Sequence, residues 1–158
     1  MTEFTHFNEE GHAKMVDVTG KGITLRTAMA AGTIYMAPET VAAVRSGGIA
    51  KGDVLSVAQV AGIMAAKRTA EIIPMCHPLM LSGINIRFMI NETSIDIFSE
   101  IRCRGETGVE MEALTAGSAA ALTIYDMCKA LQKDMKSSNI RLLKKTGGVR
   151  GDYTLHEV

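Results

Sequence analysis

Asp126 and Lys129 lie three residues apart in the run Leu122-Thr-Ile-Tyr-Asp-Met-Cys-Lys-Ala130. In a helix that spacing sets both side chains on one face. An exposed pair of this kind is an ordinary surface ion pair that contributes little. Here Thr115, Ser118, Ala119, Leu122 and Thr123 share or flank the stripe, and all are small or apolar. That composition reads as a buried surface. A lysine and a carboxylate in such surroundings have displaced proton affinities and are suited to proton transfer.

Lys51 is a second cation with chemical potential. It stands two residues ahead of Asp53, a good N-cap for the stripe Val54, Val57, Ala58, Ala61, Met64 and Ala65. Helix N-termini attract anions, and Gly47, Gly48 and Gly52 let the backbone approach a ligand closely. Lys51 is therefore a phosphate ligand, a proton donor or an ordinary loop lysine; the chain has no P-loop motif. Lys67 and Arg68 complement the C-terminal dipole of the same helix, and Lys67 has a second use as a phosphate ligand. His77 sits in the turn Pro74-Met-Cys-His-Pro78, which two prolines stiffen. A histidine held so firmly suits a positioned ligand group, whereas the adjacent Cys76 and His77 make a poor metal site. Glu110 and Glu112 suit the first turn of a long helix. In a continuous helix Glu112 and Asp126, 14 residues apart, are separated by about 21 Å. One chain cannot then bring both to the same small atom. Either the first turn is not helical, or an extended ligand or a neighbouring subunit joins the two ends.

The elements that must position these groups follow from pattern. Residues Met1 to Ala13 are polar and aperiodic and are expected to be flexible. Met15 to Val18 reads as a short strand and Ile23 to Met36 as a longer one. Pro38 opens a helix to about Arg45, stopped by Ser46-Gly47-Gly48. The helix capped by Asp53 is expected to run to Ile72 or Ile73, ahead of Pro74. Ile84, Ile86, Phe88 and Ile90, then Ile95, Ile97, Ser99, Ile101 and Cys103, alternate with more polar residues as a hairpin joined by Asn91 to Ser94. A long helix is expected from about Gly108 to Met135, a short strand near Ile140 to Leu143, then a Gly-rich tail. This order predicts an α+β, ferredoxin-like split βαββαβ fold, an antiparallel sheet with helices on one face, in a single domain over residues 14–158. The apolar residues around Ile86 and Ile95 favour burial of the other sheet face by association.

Bulk properties narrow the function classes. Seventeen basic and seventeen acidic residues cancel, and four Phe, three Tyr and no Trp leave no stacking platform, so nucleic acid is not an expected partner. No apolar run is long enough for a membrane span, and three cysteines without a C-x-x-C motif fit a reducing cytoplasm.

Four motifs in order are similar to the molybdenum cofactor biosynthesis protein C family, the cyclic pyranopterin monophosphate synthases: Lys51-Gly-Asp53, Cys76-His-Pro-Leu79, Thr107-Gly-Val-Glu-Met-Glu-Ala-Leu-Thr115 and Ile124-Tyr-Asp-Met-Cys-Lys-Ala130. Met15-Val-Asp-Val18 and the glycines 147, 148 and 151 fit as well, so the resemblance runs from about residue 5 to the C-terminus. Met75 stands where the family is expected to carry Leu, a mild departure. The resemblance implies conversion of (8S)-3′,8-cyclo-7,8-dihydroguanosine 5′-triphosphate to cyclic pyranopterin monophosphate and diphosphate. It implies Lys51, Asp126 and Lys129 as catalytic residues and Met75, Cys76, His77, Met111 and Glu112 as substrate-binding positions. Lys67, Arg26 and Arg150 are candidate phosphate ligands. The resemblance further implies a homohexamer, a trimer of dimers, with the site between subunits. No cofactor is expected, and magnesium would enter only with the triphosphate.

Overall fold

The computed structural model describes residues 4–157. The elements are β1 (Thr24–Tyr35), α1 (Pro38–Ser46), α2 (Val54–Lys67), α3 (Thr69–Ile72), β2 (Leu81–Ile90), β3 (Ser94–Gly105), α4 (Glu110–Cys128), β4 (Lys136–Thr146) and β5 (Tyr153–Thr154). The strands make one antiparallel sheet in the order β2-β3-β1-β4-β5. Its first four strands and their crossing helices follow the expected ferredoxin-like plan; β5 is an added edge absent from the sequence reading.

Alternation in β2 and β3 decides which face is covered. Ile95, Ile97, Ser99, Ile101 and Cys103 are all buried, while Asp96, Phe98, Glu100 and Arg102 point the other way. The register Ile84↔Ile101, Ile86↔Ser99 and Phe88↔Ile97 puts the apolar set of β2 on the same face. Helices α2 and α4 lie there. Small residues bring them close: Gly62 has no room for a side chain, because an added Cβ would come to 3.0 Å from the Ala116 carbonyl oxygen and 2.3 Å from Ile86 Cδ1. The one buried hydroxyl on this face of β3, Ser99, donates to Ala113 O at 2.6 Å.

Several expectations are corrected. Ile86 and Ile95 are 1% and 0% exposed beneath the helices, so they do not belong to the second face. That face instead carries Arg87 over the Phe98 ring at 5.5 Å and the Glu100–Arg102 pair. Met15 to Val18 is irregular rather than a strand; the Val16 carbonyl meets a histidine side chain, not a neighbouring strand. Helix α2 stops at Lys67, where the Thr69 hydroxyl donates to Ala66 O at 3.0 Å and a separate turn, α3, begins. Helix α4 ends at Cys128, not near Met135, since the amides of Leu131 and Gln132 both return to Cys128 O at 2.9 and 3.2 Å. Residues 129–135 form the connection to β4, which is longer than expected because it pairs with β1 from Tyr35↔Lys136 to Thr27↔Thr146. Of the segment 1–13, residues 1–3 lie outside the described residues; from Phe4 on it forms a turn closed by a Phe7–Ala13 bridge, with Asn8 Oδ1 accepting from the amides of Glu10 and His12.

Candidate active site

The residues marked out by sequence gather at the two ends of α4. At its C-terminal end Lys129 is the C-cap, and its ammonium lies 2.7 Å from Asp126 Oδ1. Lys51 arrives from the loop between α1 and α2. Its Nζ is 3.2 Å from Asp126 Oδ2 and donates to the Asp126 main-chain oxygen at 2.9 Å. The last carbonyls of a helix lack intrahelical partners and sit at the negative end of its dipole, so a lysine is a fitting cap. The loop reaches that point because Gly47 (φ 72) ends α1 in the left-handed region and Gly52 (φ 106) turns the chain before Asp53. Asp53 then caps α2, accepting from Ser56 N at 3.1 Å.

Charge on this triad follows from contact. The hydrogen bonds from Lys129 and Lys51, with their charges, hold the Asp126 carboxyl below the usual carboxylate range. Asp126 in turn raises the affinity of Lys129 for its proton. A lysine desolvated towards neutrality, as the stripe suggested, is not what the single chain contains. The three side chains are about half exposed, and Leu122 beside them is 65% exposed.

At the N-terminal end of α4 a cleft of about 460 Å³ opens. Met75, Cys76, His77, Arg26, Met111 and Glu112 all line it. Glu112 is 4% exposed, and burial, with the nearby Glu110 charge, pushes its pKa up to about 7. Arg26, also 4% exposed, donates to the carbonyls of Gly105 and Glu106, each at 3.0 Å, and so fixes the turn that launches α4. His77 Nε2 lies 2.6 Å from Val16 O, and because a carbonyl only accepts, the proton is on Nε2. This bond holds the N-terminal segment as one wall of the cleft. Burial, with the Glu112 charge, raises the Cys76 thiol and disfavours its thiolate. Lys67 is set apart: it is exposed and lines a smaller recess of about 110 Å³ that shares His77 and Glu112.

The structure therefore joins Lys51 to Asp126 and Lys129, and Arg26 to the cleft, but it does not bring the two groups together. None of the triad lines the cleft. Helix α4 is continuous from Glu110, so the first-turn alternative is excluded and the separation of about 21 Å stands.

Sequence reasoning missed Lys145 and Lys21, which line the cleft with Arg150. Lys145 pairs with Glu110 at 2.8 Å. Its signal was the register Ala28↔Lys145, invisible while β4 was read as a short strand ending at Leu143. Among the described residues no cluster of His, Cys, Asp or Glu could hold a metal ion, and no helix is long and apolar enough to cross a membrane. Chemically, one end offers cations and a carboxyl group that titrates near neutrality, suited to an anion with an N–H edge; the other offers two ammonium groups on one carboxylate, suited to moving protons.

The MoaC family model matches residues 15–148. The chain is 60% identical to a cyclic pyranopterin monophosphate synthase of Peptoclostridium acidaminophilum over 96% of both chains. It is 56% identical to a protein of the same name from Heliobacterium modesticaldum, over 99% of this chain and 100% of that one. A third, from Brevibacillus brevis, is 58% identical over 96% and 95%.

Proposed function

Because the chain belongs to the MoaC family, we propose that it converts (8S)-3′,8-cyclo-7,8-dihydroguanosine 5′-triphosphate to cyclic pyranopterin monophosphate and diphosphate, a lyase step in molybdenum cofactor biosynthesis. The observation that carries this reading is the 60% identity across nearly all of both chains with a synthase of that name. In this reading the purine imidazole ring opens and the pyranopterin closes. A hydroxyl oxygen attacks the α-phosphorus, its proton departs, and the bond to diphosphate breaks. No electrons are gained or lost overall, so the proposal includes no redox cofactor, and a magnesium ion would arrive with the triphosphate.

Lys51 and Lys129 are assigned to the proton transfers and Asp126 to orienting them. The Asp126–Lys129 contact supports a charged Lys129 that donates a proton to a departing nitrogen or oxygen. Glu112, once ionised, accepts hydrogen bonds from the amide and amine edge derived from guanine. Met75, Cys76, His77 and Met111 hold the ring system. Arg26, Lys67, Lys145 and Arg150 meet the phosphates. The separation of the triad from the cleft supports a site completed by a second subunit, in a homohexamer built as a trimer of dimers. The exposed Leu122, Val60 and Met64 on α4 and α2 supply apolar surface for that association.

The test is incubation of the pure protein with the cyclised dihydroguanosine triphosphate, followed by mass spectrometry for diphosphate and the cyclic phosphate. Intact substrate after prolonged incubation, at saturating concentration with magnesium present, overturns the reading.

A further inference from the structure

Helix α1 begins at Pro38 without a side-chain cap of its own; Ala37 occupies the N-cap and has nothing to offer. The cap comes from a residue 95 positions away. Gln132 Oε1 accepts from Ala37 N at 2.8 Å and from the Thr40 hydroxyl at 2.9 Å, and Thr40 is buried. The same Gln132 closes the other helix end: its backbone amide donates to Cys128 O at 3.2 Å, just past Lys129. Its side-chain NH₂ group donates to Asp134 Oδ1 at 2.9 Å, which sets the orientation of the amide and leaves Oε1 towards α1. Tyr125 braces the same turn, with its hydroxyl donating to Lys133 O at 2.7 Å.

A closed ring of contacts results. From the end of α4 the turn at Gln132 leads to the start of α1. Nine residues of α1, about 13 Å of rigid helix, lead to Gly47. The loop after Gly47 delivers Lys51, whose ammonium returns to Asp126 at the end of α4. Lys51 and Lys129 are thus set against each other by one short helix, and Gln132 is the only side chain among the described residues seen to hydrogen-bond both the start of that helix and the turn after Lys129.

We propose that Gln132 is a positioning residue for the lysine pair: by capping α1 from the turn that follows Lys129, it sets the register of Lys51 and Lys129 on Asp126. The inference rests on the catalytic assignment of those lysines for its effect on turnover, but its geometric content stands apart from it. Replacement by Ala removes the acceptor and frees the start of α1 to shift. Glu in its place keeps an acceptor oxygen and adds a negative charge at a helix N-terminus, but it loses the N–H bond to Asp134 and faces that carboxylate, so it restores the cap in part. The cleft at the far end of α4 is untouched by either change.

The experiment compares wild type, Q132A, Q132E and T40V by two readouts. The first is competitive acylation of lysine amines across pH, read residue by residue by mass spectrometry. The second is turnover of the cyclised triphosphate. In Q132A the amines of Lys51 and Lys129 become more reactive while Lys145 and Lys67 do not change. The kcat falls by about 10- to 100-fold, the scale of an ångström-level misplacement, with KM altered less than about threefold. Q132E returns both readouts towards wild type, and T40V, which loses one of the two bonds, falls between. A general loss of structure would expose every lysine and move KM and kcat together. Unchanged reactivity of Lys51 and Lys129 in Q132A, or an equal rise at Lys145, overturns the proposal. Should Q132A fail to fold, T40V carries the same two criteria. Wild-type protein without turnover whose Lys51 and Lys129 still respond to Q132A would refute the enzymatic reading and leave the positioning role standing.

Discussion

The ammonium of Lys51 donates to both the carboxylate and the main-chain carbonyl of Asp126, at 3.2 and 2.9 Å, across 75 residues of chain. One lysine thus serves as counter-ion and as helix cap. Its two bonds place it opposite Lys129, which holds the other carboxylate oxygen. The consequences can be measured.

Removing either ammonium should abolish chemistry and spare the fold. K51A and K129A are expected to lose at least about 100-fold in turnover, the usual scale for a general acid or base, with unchanged circular dichroism. Their side chains are half exposed and lie outside the buried core. Turnover near wild type in both variants would remove the lysines from the mechanism.

Asp126 should govern the pH window of Lys129. The carboxylate raises the lysine's proton affinity, and the lysines lower that of the carboxyl. The attraction is therefore lost as pH falls through the lowered Asp126 value, or rises through the raised Lys129 value, and is intact between. In D126N the Lys129 amine should titrate at lower pH than in wild type, as followed by NMR of a ¹⁵N-labelled lysine. A shift in the opposite direction would contradict the contact.

Glu112 makes stability fall with pH. Burial raises its carboxyl from 4.5 to about 7, so between those values the folded chain binds a proton that the unfolded chain has released. Stability contributed by the protonated form is full below about 4.5 and is lost as pH rises through 7, by up to roughly 3 kcal/mol. Urea unfolding at pH 5 and pH 8 should show this slope in wild type, and E112Q should flatten it. A ligand that donates N–H groups to this carboxyl favours the ionised form, so binding should release a proton near pH 7.

Two inactive variants should rescue each other. The triad and the cleft lie at opposite ends of α4, and a site shared between subunits draws one group from each chain. Mixing E112A with K129A, after dissociation and reassembly, should regain a fraction of wild-type activity, with sedimentation showing a hexamer for each parent. Absence of recovery in verified mixed oligomers would mean that each chain works alone.

Gly147 should not tolerate a side chain. At φ 87 its added Cβ would lie 2.0 Å from Leu25 O, a main-chain atom that cannot move aside. G147A is expected to cost about 1–3 kcal/mol and to shift the neighbouring Gly148 against Arg26. Chemical denaturation measures the first effect and a rise in KM the second.

Much of this protein was legible from its chain. Alternation in Ile84–Ile90 and Ile95–Cys103 predicted the hairpin and its buried face, because a strand's period of two leaves little freedom once one side is apolar. Asp53 predicted its helix start, and the i, i+3 spacing of Asp126 and Lys129 predicted their contact, since both are local geometry. What tertiary structure decided was everything long-range. Helix propensity alone carried α4 to Met135, but the turn that returns to Cys128 O ended it, and pairing with β1 extended β4 over Lys136–Thr146, because strand length is set by the partner. Lys145 entered the cleft only through that register, Lys51 reached Asp126 only through the turn at Gly47, and Glu112 acquired its raised pKa only through burial. Sequence names the groups and their local neighbours; the free energy of a proton on any of them depends on surroundings that are assembled from distant segments.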